Sequence, residues 1–424
     1  MALSQSLPGG QVQRRDRFRK YMQAFNPTAS AQEAIDAGLV FENLHSSLHL
    51  NLAGRADLEP GSQQLLVGGI GSGKTTELLL ATRWLRSQGN VLPLYIDITS
   101  ETDLSALNPG SLLASFGIHL SILLLGNAAL PKEAADRLKA LYEKIKEYAY
   151  GKTETVWVED DYSDRDEQDD DDHEENLDDY RGYYTTRNTP GKLQPPLPKL
   201  QRDIRSIREP LEHLLTTARE TYKDIVVIFD GLDRLLVPDK FVSVVHQDLR
   251  VLRSLRISVL ATAPISILYG VGSSVAEQFD RVQHLAVVPA DPGHGVLQAV
   301  IKRRGGYELL SREDADAICH YSGGVLRDLI SLARDAAEEA YVSGHESIAS
   351  ADVEKAAQQL GTSYLRGLGP AATKTLTDLD KSRSFQVNLP ANVELLVTRR
   401  VLEYSSTDFR VHPALLSVMP KSKG

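Results

Sequence analysis

The chain of 424 residues contains one cysteine, two tryptophans and three methionines. With Cys319 alone there is no intrachain disulfide and no Cys-rich metal knuckle, which suits a reducing compartment. The N-terminal stretch carries Arg14, Arg15, Arg17, Arg19 and Lys20 and has no apolar core of the kind an export signal needs, so a cytoplasmic location is expected. Only one long uncharged run exists, Ser111 to Leu130. Its length reaches that of a membrane span, but it includes Gly117, His119, Gly126 and Asn127 and lies between two strand-like segments. A buried helix is expected there, and no membrane contact.

A general excess of one charge is also missing. The formal charge of −10 is concentrated in residues 159–179, where fourteen acids face one arginine; this run carries −13 and leaves +3 for the rest. The segment from 151 to about 200 loses all periodicity and ends in Pro195, Pro196 and Pro198, so it reads as a disordered acidic insert.

Residues 68–76, Gly-Gly-Ile-Gly-Ser-Gly-Lys-Thr-Thr, fill the pattern G-x-x-x-x-G-K-[ST]. The apolar strand Gln64–Val67 precedes it and a helical stretch from Thr76 to Leu85 follows, which is the context a phosphate loop requires. Gly68, Gly69, Ile70, Gly71, Ser72, Gly73, Lys74, Thr75 and Thr76 are therefore the candidate nucleotide-binding residues. Backbone N–H groups would face the phosphates, Lys74 would reach the β and γ oxygens, and Thr75 would place its hydroxyl on Mg²⁺. Further strands are expected at 91–98, 225–229, 257–261 and 283–288, separated by helical segments. Asp230 directly follows the continuous apolar run Ile225–Phe229, where an acid beside the phosphate loop would hold the metal ion. Asp233 is a second candidate acid.

Strands alternating with helices imply an α/β fold, a P-loop NTPase parallel sheet with helices on both faces. The pattern divides the chain into an N-terminal arm (1–40), a P-loop core (41–292) holding the acidic insert, a helical lid (293–362) and a small C-terminal α+β, winged-helix-like unit (363–424). That last unit is read from a helix over about 392–402 and short strands at 402–404 and 409–411. It carries nine basic against five acidic residues, a mild excess that permits weak, salt-dependent DNA binding. The short basic N-terminus reads as a solvated arm.

The order of phosphate loop, strand ending Asp230-Gly231-Leu232-Asp233, strand ending Leu260-Ala261-Thr262-Ala263-Pro264, Arg281 and the lid sequence Ser322-Gly323-Gly324-Val325-Leu326-Arg327 resembles the AAA+ ATPases. Within them it is most similar to the archaeal origin-recognition and STAND-like branch, over roughly residues 40–360. The resemblance implies ATP and Mg²⁺ as cofactors. It implies a sensor role for Thr262, against the plainer reading of a threonine ending a strand, and a second sensor at Arg327, against a surface arginine. Arg281 would be a finger inserted into a neighbouring subunit's site, unless Asp280 simply pairs with it. Gly231 stands where typical members have a catalytic Glu, so Asp233 is the expected water-polarising acid and turnover should be slow. The function implied is a slowly hydrolysing ATPase switch that forms homo-oligomers and contacts a protein partner, in bacterial regulation or phage (antiviral) defence. The alternative is a DNA-binding initiator or loader using its C-terminal unit.

Overall fold

The computed structural model describes residues 9–42, 44–126, 131–150, 203–235, 237–269, 273–290 and 295–420. The acidic insert lies outside the described residues. Ahead of the sheet come helices α1 (Gly9–Ala24), α2 (Ala31–Asp36) and α3 (Leu48–Leu58). The strands are β1 (Gln63–Gly68), β2 (Val91–Asp97), β3 (Asp224–Asp230), β4 (Ser258–Ala263) and β5 (Arg281–Leu285). All pair in parallel in the order β2-β3-β4-β1-β5, so β1 and its loop lie inside the sheet and β2 forms an edge. Pro93 is tolerated on β2 because an edge strand leaves one row of N–H groups unpaired.

Strand periodicity of two sends neighbouring side chains to opposite faces. Leu65, Val67, Val227, Phe229, Val259 and Ala261 join one core, and Leu66, Val226, Ile228 and Leu260 join another. Between β1 and β2 runs α4 (Lys74–Ser87), which with α3 covers the second face. Between β2 and β3 come α5 (Ile98–Glu101), α6 (Ser111–Leu125), α7 (Lys132–Tyr150) and α8 (Ile204–Arg219); α9 (Pro238–Ser254) follows β3 and α10 (Ser273–Ala276) follows β4. Helices α6, α8 and α9 cover the first face. The fold is thus the expected parallel α/β sheet with helices on both sides.

Residues 111–125 of the uncharged run form α6, with Leu112, Leu113, Phe116 and Leu120 fully buried; residues 127–130 lie outside the described residues. Among the described residues no helix is long and apolar enough to cross a membrane. Its N-terminus lacks a capping side chain of its own. Asp248 of α9 supplies the acceptor, taking the N–H groups of Gly110 at 2.6 Å and Leu112 at 2.9 Å. Complete burial still raises the Asp248 carboxyl to about 7.

The lid comprises α11 (Val296–Gly305), α12 (Arg312–Ser322), α13 (Leu326–Val342) and α14 (Ser350–Leu365). The arm expected at the N-terminus holds α1, and this helix packs into the lid. Phe18, Tyr21 and Phe25 are buried among Leu329, Leu332 and Ala336. Arg14 is no solvated charge either: it donates to the carbonyls of Ala340, Tyr341 and His345, while Arg17 pairs with Glu346 at 2.7 Å. The aromatic stripe at three- and four-residue spacing decides the placement, and the basic residues between mask it in the sequence.

The C-terminal α+β unit contains α15 (Pro370–Ser382), α16 (Pro390–Val397), the antiparallel strands β6 (Val401–Ser405) and β7 (Asp408–Val411), and α17 (Pro413–Val418). Helix α16 stops at Val397, short of the expected Leu402, because Arg399 adopts a left-handed conformation with φ of 61° that turns the chain into β6. The fifth core strand begins earlier than expected, so Arg281 is its first residue. Asp280 pairs with Arg253 and accepts the Gln63 N–H, leaving Arg281 unengaged by it.

Since α6 depends on a carboxylate from another helix, Asp248→Ala strands two buried N–H groups. The loss of stability is expected to be roughly 2–5 kcal/mol in denaturant unfolding. A change below about 0.5 kcal/mol, the range of ordinary surface substitutions, would remove Asp248 from the account of this fold.

Candidate functional site

The turn from β1 into α4 brings the phosphate-loop backbone under the lid. Gly71 has φ of 85°, and a Cβ there would stand 2.8 Å from the Cβ of Arg327, so both conformation and contact require glycine. Lys74 begins α4 and is 5% exposed. Its ammonium donates to the carbonyls of Gly68 at 2.9 Å and Gly69 at 2.8 Å and meets Asp233 Oδ2 at 2.9 Å. All three of its N–H donors are thereby used. Ser72 Oγ in the same loop is buried with no hydrogen-bond partner among the described residues.

Asp230 ends β3, 4% exposed. Tyr95 from β2 donates its hydroxyl to Asp230 Oδ2 at 2.7 Å, and the Gly231 N–H donates to Oδ1 at 2.7 Å. Burial raises the Asp230 carboxyl above its ordinary value, opposed by hydrogen bonds from Thr75 and Tyr95. Burial, with Asp230 beside it, also raises the Tyr95 hydroxyl, which stays a donor. A buried carboxylate bonded to the Thr75 hydroxyl is a hard-oxygen pair suited to a magnesium ion. Asp97, at the end of β2, sits in register with Asp230.

The short turn 231–234 carries Asp233 to Lys74. Thr262, at the end of β4 and fully buried, accepts the Leu232 N–H at 3.1 Å and so anchors that turn. Its hydroxyl acts on the backbone and does not line the cavity. Arg281 lies at the other end of the sheet: it pairs with Gln64, four residues before Gly68, which is about 13 Å away along the strand.

A cavity of about 590 Å³ extends from Lys74, Asp97 and Asp230 to an apolar recess formed by Leu39, Phe41, Leu44, Val300 and Ile330. Its volume lies in the range of small-ligand and cofactor sites. One end is charged and the other apolar, which matches a triphosphate joined to a flat base. The residues present therefore fit Mg²⁺ and a nucleoside triphosphate: Asp230 and Thr75 would hold the ion, and the loop backbone with Lys74 the phosphates. His45 braces the recess against the loop, with Nε2 3.1 Å from the Ser72 carbonyl.

Arg327 opens α13 directly over the loop, its N–H donating to the Gly71 carbonyl at 3.4 Å. Partial burial, then Arg399 and Arg234 nearby, lower its pKa. These cations repel one another and favour an incoming anion. The next residue, Asp328, is 3% exposed and faces the C-terminal unit. It meets Arg399 at 2.7 Å and His412 Nε2 at 3.2 Å, and accepts the Tyr364 hydroxyl at 2.6 Å. Burial works against ionisation, yet His412, Arg399 and Tyr364 together hold the Asp328 carboxyl below its ordinary value. The loop, Asp230, Asp233 and Arg327, all singled out in the sequence, line one cavity; Tyr95, Asp97, Asp328 and Arg399 were not singled out, and strand and domain pairing bring them in.

No family model matches the chain, and no curated protein does. Among solved structures the chain is similar to Cdc6p from Pyrobaculum aerophilum, with 13% identity, a TM-score of 0.42 and coverage of 94% of this chain and 96% of that one. Drosophila ORC bound to DNA gives 14% identity, a TM-score of 0.44 and coverage of 90% and 76%. The RuvB Holliday junction branch migration motor of Thermotoga maritima gives 14%, 0.38, and coverage of 88% and 92%.

Lys74→Ala removes the one ammonium at the loop and is expected to abolish measurable Mg-ATP binding in calorimetry, whereas Asp230→Ala should keep the fold and lose the Mg²⁺ dependence of binding. Undiminished Mg-ATP affinity in Lys74→Ala would overturn the site.

Proposed function

We propose that this protein is an ATP-binding, slowly hydrolysing switch of the AAA+/STAND-like kind, whose nucleotide state controls self-association and contact with a protein partner. The observation that carries the reading is the adjacency of Arg327 and Asp328. One side chain faces the phosphate loop and the next is pinned to the C-terminal unit by Arg399 and His412. A displacement of the α13 N-terminus on nucleotide binding therefore reaches residues 363–420 without a flexible joint. Slow turnover is supported by Gly231, which leaves the site to a shorter aspartate where typical members place a glutamate directly after Asp230. Thr262 acts in this scheme by holding the turn that carries Asp233.

Arg281 is too far from its own loop to serve it, so its proposed role is to neutralise the phosphoryl group in a neighbouring subunit. The resemblance in sequence motifs suggests a setting in bacterial regulation or phage defence.

Mass measurement in solution without nucleotide, with ADP and with a slowly hydrolysed ATP analogue tests the switch. The wild-type protein is expected to enlarge with the analogue; Arg327→Ala should bind it yet keep the nucleotide-free mass. Arg281→Ala should hydrolyse poorly and regain activity when mixed with Lys74→Ala subunits. A monomer under every condition, with hydrolysis independent of protein concentration and of Arg281, would sink the reading.

A further inference from the structure

We propose that Asp97, at the carboxyl end of β2, is the catalytic carboxylate that holds the attacking water; this rests on the ATPase reading above and supplies the acid missing after Asp230. Asp97 is in register with Asp230 on the adjacent strand, which places their backbones about 4.8 Å apart. Both line the cavity.

The geometry at Gly231 explains the substitution. Gly231 has φ of 82°, and a Cβ on it would stand 2.9 Å from Asp97 Oδ1 and 2.5 Å from Thr99 Cγ2. The space into which a side chain at position 231 would project is therefore already taken by the Asp97 carboxylate and the Thr99 methyl. A carboxylate is present at the place where a residue following Asp230 would put one, but it comes from the neighbouring strand. Asp233, the other acid of the turn, pairs with Lys74 at 2.9 Å, and comparing Asp97→Asn with Asp233→Asn decides between the two acids.

Asp97 is also fixed in direction. Its Oδ1 accepts the Thr99 N–H at 3.0 Å and the Thr99 hydroxyl at 2.6 Å, which caps α5 and locks the rotamer. Among the described residues no hydrogen bond is made to Oδ2, which is left for a water. In the reaction the water oxygen forms a bond to the γ-phosphorus while the bond from that phosphorus to the β,γ-bridging oxygen breaks. The electron pair of the broken bond leaves with ADP. The water proton passes to Asp97 Oδ2 and from there to solvent, and inorganic phosphate is released. A general base in this position contributes roughly 10²–10⁴-fold to rate.

A capping role alone would be kept by asparagine, which caps a helix as well as aspartate but takes no proton. The full-length protein and its Asp97→Asn and Asp233→Asn variants are compared for melting temperature, Mg-ATP affinity and single-turnover hydrolysis of ATP. Asp97→Asn is expected to melt and bind as the wild-type protein does, to lose roughly 10²–10⁴-fold in the hydrolytic step, and to fall further than Asp233→Asn. Hydrolysis that persists in Asp97→Asn, a fall in Asp233→Asn as large or larger, or a loss of Mg-ATP affinity in Asp97→Asn each overturns the inference. Absence of hydrolysis in the wild-type protein overturns the ATPase reading, and this inference with it.

Discussion

The buried ammonium of Lys74 is the constraint on which the site is organised. An unpaired charge so far from water would cost several kcal/mol, so its three donors must all be met. Two are met by the Gly68 and Gly69 carbonyls, and those belong to the loop itself. The third, Asp233, is the partner an incoming phosphate can displace. This single requirement explains the details around it: the left-handed Gly231 that turns the chain, the Thr262 hydroxyl that anchors Leu232, and the placement of Asp233 three residues beyond the β3 carboxylate. In the proposed function a nucleotide phosphate would take over from Asp233 the compensation of this charge.

In the proposed switch that exchange would be transmitted outward through α13. Its first turn faces in two directions, with Arg327 toward the phosphate loop and Asp328 toward Arg399, His412 and Tyr364. His412 is fully buried and also caps α17 through the Ala414 N–H, so the ion cluster is built into the core of the C-terminal unit and is not a surface latch. Tyr404 adds a second tie by donating to the Gly323 carbonyl at 2.6 Å. A buried carboxylate compensated by groups from a second unit fixes one mutual orientation, because any other leaves a charge without a partner.

What was legible in the sequence follows from how local each signal is. The phosphate loop is read from nine consecutive residues, and Asp230 from the apolar run immediately before it; both stand where expected. The parallel sheet was legible because each strand is a short apolar run bounded by helical periodicity. Asp97 was not, since its meaning comes from lying beside Asp230, more than a hundred residues along the chain, once β2 and β3 pair. The same holds for Asp328, whose partners Arg399 and His412 are 71 and 84 residues away. Helix α1 was hidden by its arginines, which outweigh the stripe of Phe18, Tyr21 and Phe25 in any reading of composition. The end of α16 was misplaced because the apolar pattern continues past Val397 while the backbone turns at Arg399. Asp233 stands where the turn carries it, but its engagement with Lys74 was not legible, because that contact forms only when the 231–234 turn folds against the phosphate loop.

If Asp233 competes with phosphate for Lys74, removing its charge while keeping its shape must strengthen nucleotide binding. Calorimetric titration of Mg-ATP into the wild-type protein and Asp233→Asn tests this directly. Measurable binding is expected to both, tighter in Asp233→Asn by roughly tenfold, the equivalent of about 1.4 kcal/mol. Equal or weaker binding in the variant, or none in the wild-type protein, would contradict it.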